Sequence, residues 1–153
     1  CLPEERPMAV TASHRIAQVI AKCLDSERAP CTVSELARGG GAAPSTIQMW
    51  CATIDIRARD VVLFTRGLWA IHRAESLEAT PNDLLGFAEI RSLRAYLRRT
   101  GPLSSSAGVV SPETYCARQS LVLHRQILAE VLRLVSSSTA LAILPCAFTA
   151  VLT

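Results

Sequence analysis

Between Thr32 and Pro44 the sequence orders a helix to start, stop and start again. Thr32-Val33-Ser34-Glu35 is a Thr-x-x-Glu capping box. Its Thr side chain can accept from the Glu35 amide while Glu35 reaches back to the Thr32 amide. Gly39-Gly40-Gly41 stops that helix soon after it begins. Pro44 suits the first position of a new helix, where a missing N–H costs nothing. That second helix is expected to run to about Thr53.

Elsewhere apolar residues recur at helical spacing. Ser13 precedes Ile16, Val19, Ile20, Cys23 and Leu24, so a helix is expected after Ser13, broken over 25–30. A longer helix, Ala58–Leu77, carries Val61, Phe64, Leu68 and Ile71 as one stripe, broadened by Val62 and Trp69. Thr80-Pro81 marks a break. A helix over 89–100 is expected to place Ile90, Leu93 and Leu97 inward and to end at Gly101-Pro102, with Gly101 as a left-handed cap. The Ser-rich stretch 103–111 reads as linker. Ser111-Pro112-Glu113 then starts a helix reaching about Val135, with Leu121, Leu128, Val131, Leu132 and Val135 on one side. The expected fold is therefore all-α. A small helical domain over 13–101, with a long connecting helix, is followed by a linker over 102–111. An amphipathic helix over 112–135 and an uncharged tail over 136–153 complete the chain.

A length of 153 residues, half of them apolar and 19% charged, supports one real core and argues against general disorder. Aromatics make up only 5%, so the core is expected to be aliphatic. Cys1, Cys23, Cys31, Cys51, Cys116 and Cys146 include no pair at zinc-knuckle spacing, and His14, His72 and His124 lie far apart, so no metal is expected. Cys23 and Cys51 fall in apolar helical stretches and are expected to act as small buried hydrophobes. The cysteine pattern suits a reducing cytosol better than a disulfide scaffold, and no secretory h-region opens the chain. The uncharged stretch 134–153 approaches the length of a membrane span. Its Ser and Thr residues, Pro145 and the lack of a basic anchor favour a tail instead. The expected location is cytoplasmic, without a membrane.

The segment from Val33 to about Ala52 fits a helix-turn-helix. A small residue, Ala37, stands where the second helix would cross the first. Gly41 supplies the positive φ of the turn. Ile47 and Trp50 are spaced to pin the second helix from beneath, with Leu36 opposite. The second helix would then lie in a DNA major groove and present Ser45, Thr46, Gln48 and Met49 to base edges. The same residues also fit a plain helical hairpin. Nothing points to an enzyme or a cofactor, because the nucleophile elbow, P-loop, dinucleotide Gly pattern and paired-His metal motif are all missing. The three glycines at 39–41 follow a helix, not a strand, and do not make a phosphate cradle.

Taken in order, Leu36-Ala37, Ile47-Gln48-Met49-Trp50 and Phe64-Thr65-Arg66-Gly67-Leu68-Trp69-Ala70 resemble the AraC-type DNA-binding domain. That family carries a Leu-Ala in its first motif and a recognition helix ending in an aromatic. Its long connecting helix bears an Arg-Leu-x-x-Ala-like signature, whose spacing Arg66 and Ala70 match. Leu85-Gly86-Phe87, Leu93, Arg94 and Gly101 are similar to its second motif. The resemblance covers about 14–101. Ala43 stands where a capping Ser is usual, Ser45 and Met49 where basic residues are common, and Asp55 where Gly is usual. The stretch 80–86 is short for a leading helix, so the second motif is incomplete.

The resemblance implies a transcriptional regulator that binds double-stranded DNA in a sequence-specific way. Arg91, Arg94 and Arg98, on one helix face with Arg99 alongside, would then contact phosphates. The plainer reading of those arginines is a solvated helix end, where basic residues also suit the carboxyl-terminal dipole. Gln48 can pair with adenine or simply be an exposed helix former. An alternative of a different class is a helical protein-interaction module that has lost DNA binding, with the 115–135 helix as its working surface. The apolar residues of the 112–135 helix are expected either to dock on the domain or to pair with a second copy as a homodimer.

Overall fold

The computed structural model describes residues 5–120 and 123–136. Among the described residues the fold is all-α apart from one short hairpin. Helix α1 spans Glu5–Cys23, α2 Val33–Gly40, α3 Pro44–Thr53, α4 Ala58–Leu77, α5 Pro81–Leu84 and α6 Ile90–Thr100. Strands β1 (Ser104–Ser105) and β2 (Gly108–Val109) pair antiparallel, with Ser104 opposite Val109 and Ser105 opposite Gly108. Helix α7 spans Pro112–Arg118, and α8 covers 125–136.

The start–stop–start signal is carried out as written. Thr32 Oγ1 accepts from the Glu35 amide at 3.1 Å, and Glu35 Oε2 accepts from the Thr32 and Cys31 amides at 3.2 and 2.7 Å. Gly41 adopts φ 72° and closes α2. Helices this short are marginal by themselves and rely on burial. Leu36 and Ala37 of α2 and Ile47 and Cys51 of α3 are buried, and both helices pack on α1. Gly40 touches Val19 so closely that a Cβ there would collide with the Val19 side chain. The tight crossing in this region is thus α2 on α1.

Helix α4 is the axis of the fold and touches α1, α2, α3, α5, α6 and α7. Its stripe Val61, Phe64, Leu68 and Ile71 is buried, together with Val62 and Trp69. Trp69 Nε1 and Arg73 Nη2 both donate to the Ser26 carbonyl, at 2.9 and 2.6 Å, and so tie the α1–α2 loop to α4. On another side, Tyr96 of α6 donates to the Leu63 carbonyl at 2.7 Å and Tyr115 of α7 to the Phe64 carbonyl at 2.8 Å. Both hydroxyls crowd Gly67, where a Cβ would sit 2.8 Å from Tyr96 Oη and closer still to Tyr115 Oη. Burial pushes both phenols above their ordinary range, so they remain donors.

Several expectations are corrected. Helix α1 begins at Glu5, not after Ser13; Ser13 is buried inside it, and Ala12 extends its inner face. Ile90 is 66% exposed, because α6 turns Leu93, Tyr96, Leu97 and Thr100 inward to seat the tyrosine. Trp50 is only half-buried; the underside of α3 is Ile47, Cys51 and, just beyond the helix, Ile54. Gly101 has φ 82° but an extended ψ of 165°, so it ends α6 without a left-handed helical cap. The expected linker over 102–111 is a hairpin held by core residues. Leu103 and Val110 are buried and joined by a 2.9 Å bond from the Val110 amide to the Leu103 carbonyl.

The expected single helix over 112–135 is two helices. Helix α7 ends at Arg118 because Gln119 turns inward, where its Nε2 donates to the Thr100 carbonyl at 3.0 Å. Leu123, Ile127, Leu128 and Val131 then enter the same core as Tyr115. Docking, not exposure, is the fate of this segment. Leu121 and the tail beyond Ser136, including most of the 134–153 stretch, lie outside the described residues. Among the described residues no helix is long and apolar enough to cross a membrane.

Two outcomes follow from this packing. Alanine in place of glycine inside a helix normally adds up to about 1 kcal/mol. Gly67→Ala should instead cost about 1–3 kcal/mol by overpacking against the tyrosine hydroxyls. Urea unfolding followed by circular dichroism measures it, and a variant as stable as its parent shows that the tyrosines are free to withdraw. The second concerns Glu130 of α8, which accepts from Arg133 at 2.5 Å and meets His14 Nδ1 of α1 at 3.0 Å. The Arg133 hydrogen bond, chiefly, holds the Glu130 carboxyl below its ordinary value of 4.5. A depressed folded pKa adds stability above that value and loses it as the pH falls further. Stability should therefore drop on acidification below about 4.5, and Glu130→Gln should flatten that part of the profile.

Candidate nucleic-acid interface

Helix α3 contains no acidic or basic residue in its end turns and starts at Ala43, whose side chain offers no cap. Pro44 at the first position sets the helical φ instead. With Ile47 and Cys51 fixed underneath, Ser45, Gln48 and Met49 are left exposed and Thr46 half-buried. Met49 is 58% exposed, a large apolar side chain facing solvent beside Ser45 and Gln48. Thr53 Oγ1 donates back to the Met49 carbonyl at 2.9 Å and so closes the last turn of α3. Beyond it Asp55 takes φ 56°, the left-handed geometry that Asp tolerates, and turns the chain into α4.

Helix α6 contains no carboxylate. Its inward face is anchored by Tyr96 and Thr100, which leaves Arg91, Arg94 and Arg98 exposed. Arg94 and Arg98 flank a shallow hollow floored by Leu97 and Pro102. None of these arginines forms an ion pair among the described residues. The two residue sets stand on separate helices, and each helix packs on α4. The approach to α6 repeats that to α3 in reduced form. Thr80 Oγ1 accepts from the Asp83 amide at 3.4 Å to start α5, Pro81 is its first residue, and Gly86 turns at φ 70°. Helix α5 has only four residues, in line with the shortness of the 80–86 stretch.

Arg66 is a structural cation. Its Nη2 donates to the Leu85 carbonyl at 2.7 Å, and its guanidinium carbon lies 4.0 Å from the centre of the Phe87 ring. It thus fixes the α5–α6 turn against α4 by one charge-assisted bond and one cation–π contact. Arg59, Arg66 and Arg99 also line one cleft between α4 and α6, a grouping that residue spacing alone did not suggest. Half of the signal was present, since Arg59 and Arg66 are seven residues apart and share a face of one helix. The pairing of His14 with Glu130 had no sequence signal, because their elements are distant along the chain. Among the described residues no group of His, Cys, Asp or Glu could hold a metal ion.

The four described cysteines are free thiols, and Cys23, Cys51 and Cys116 are buried. Cys23 Sγ donates to the Leu36 carbonyl at 3.3 Å beneath α2, and Cys51 lies beneath α3. No family model, curated protein or solved structure matches the chain.

Thiol labelling tests how firmly α3 is seated. Burial pushes the Cys23 and Cys51 thiols up to about 11 and Cys116 up to about 12. At a pH of about 8 all three should be neutral and slow toward iodoacetamide, with exposed Cys31 modified before them. Peptide mapping of the labelled native chain gives the order, and early modification of Cys51 shows that α3 lifts from its bed.

Proposed function

We propose that the chain is a diverged AraC-like transcriptional regulator that binds double-stranded DNA in a sequence-specific manner in a bacterial-type cytoplasm. The observation that carries this reading is a pair of exposed faces, on α3 and on α6, two helices that both pack on α4. Helix α3 offers short polar groups and one thioether, and α6 offers exposed arginines without a carboxylate. In the major groove, Gln48 makes paired hydrogen bonds to adenine, Ser45 and Thr46 bond base or phosphate oxygens, and Met49 contacts a thymine methyl. Arg91, Arg94 and Arg98 hold phosphates, which contributes affinity and salt dependence but no sequence preference.

The alternative interaction module keeps, among the described residues, only the half-buried part of its argued surface at Leu132, Leu134 and Val135. Tyr115, Leu123, Ile127, Leu128 and Val131 are spent in the core, so neither partner binding nor homodimerisation can use them without unfolding that side. A homodimer on DNA would use those half-buried residues or another contact.

Electrophoretic mobility shifts on duplex libraries test the proposal. Replacing Arg91, Arg94 and Arg98 with Gln should lower the log–log salt slope by about 0.9 for each phosphate no longer neutralised. Gln48→Ala should reduce discrimination at one base position by about 1–3 kcal/mol while overall affinity changes less. Absence of retardation even at low salt, or an unchanged slope in the triple variant, removes the reading.

A further inference from the structure

We propose that the cleft between α4 and α6 binds a small organic anion, a carboxylate or phosphate ester with an apolar body. The cleft measures about 410 Å³, and Arg59, Arg66, Arg99, Phe87 and Tyr96 are among its lining residues. That size falls within the range of small-molecule sites, about 300–1,000 Å³. Among the described residues no carboxylate lines it. Glu35, next in space to the lining residue Cys31, is already held by the Cys31 and Thr32 amides. Like charges gathered in one cleft repel one another until an oxyanion enters, and guanidinium forks match carboxylate and phosphate alike.

Arg66 supplies a second, independent observation. Its Nη2 is committed to the Leu85 carbonyl and its plane lies on Phe87. Its Nε is buried and has no acceptor among the described residues. The Leu85 carbonyl is a neutral acceptor and Arg66 forms no ion pair among the described residues, so its charge stays open to an anion in the cleft. Aromatic walls beside that donor suit an apolar ligand body, which a duplex backbone does not have. The cleft also uses Ser92, Ala95 and Arg99 of α6, a different side from Arg91, Arg94 and Arg98. A ligand here would bridge α4 and α6 without covering the proposed DNA-facing arginines.

The ligand titrations use the full chain without DNA, so their outcome is independent of the DNA-binding reading. Sodium benzoate and phenyl phosphate are titrated against sodium chloride at matched ionic strength, by thermal unfolding and by calorimetry. At least one probe should raise the Tm saturably beyond chloride. Arg59→Gln combined with Arg99→Gln should weaken that binding at least about tenfold, with the unliganded circular dichroism unchanged, since both side chains are exposed. No saturable shift with either probe overturns the proposal, as does an equal shift in the double variant. If neither probe binds and the double variant instead loses duplex binding, the cleft is a backbone contact and the free-anion assignment is wrong.

Discussion

The missing side chain at Gly67 sets how closely α6 and α7 approach the axial helix α4. One turn of α4 receives two tyrosine hydroxyls from two other helices, at the Leu63 and Phe64 carbonyls. A helical carbonyl has a second lone pair, so it can accept a side-chain donor besides its own ladder bond. The tyrosines approach that close only because nothing projects from position 67. Tyr115 also stacks on Phe64 with centroids 5.3 Å apart, and Tyr96 meets Phe87 at 5.5 Å. In a chain with so few aromatics, most of them are gathered around this turn.

This contact links the core to the surface. Tyr96 fixes the rotation of α6, and that rotation sends Arg91, Arg94 and Arg98 outward and Ile90 with them. Arg66 holds the preceding turn by its bond to Leu85 and its position over Phe87. Arginine therefore serves two purposes here. At 66 and 73 it is partly buried and bonded to backbone carbonyls; at 91, 94 and 98 it is exposed and uncommitted. The sequence pattern of basic residues does not separate the two groups. Proximity to a loop carbonyl does.

Local signals were the readable ones. The Thr32 capping box, Gly41, Pro44 and the Val61–Phe64–Leu68–Ile71 stripe act over a few residues, and helices α2, α3 and α4 follow from them. What failed depended on distant partners. Ile90 looked inward by spacing, but a tyrosine reaching across to α4 decided the face. The segment after Ser111 looked like one helix, but the Gln119 side chain is drawn to a carbonyl nineteen residues earlier. The Ser-rich stretch looked like a tether because its two core residues, Leu103 and Val110, bracket it and are separated by three serines, Ala107, Gly108 and Val109. On the candidate interface, exposure of Ser45, Gln48 and Met49 was legible from the helix period. The arginine cleft was not, because it joins two helices that only the folded chain brings together.

That hairpin between Leu103 and Val110 has a consequence for how such a chain can change over time. Its ends are clamped by two buried side chains and a backbone bond, while residues 105–109 are exposed and Gly108 has open space around it. Extra residues at the tip would meet no packed neighbour, and loop closure grows costlier only slowly with length, by about 0.6 kcal/mol per doubling. The tip is therefore a permissive site, where insertions or a grafted peptide can accumulate while the clamp preserves the register of everything on either side.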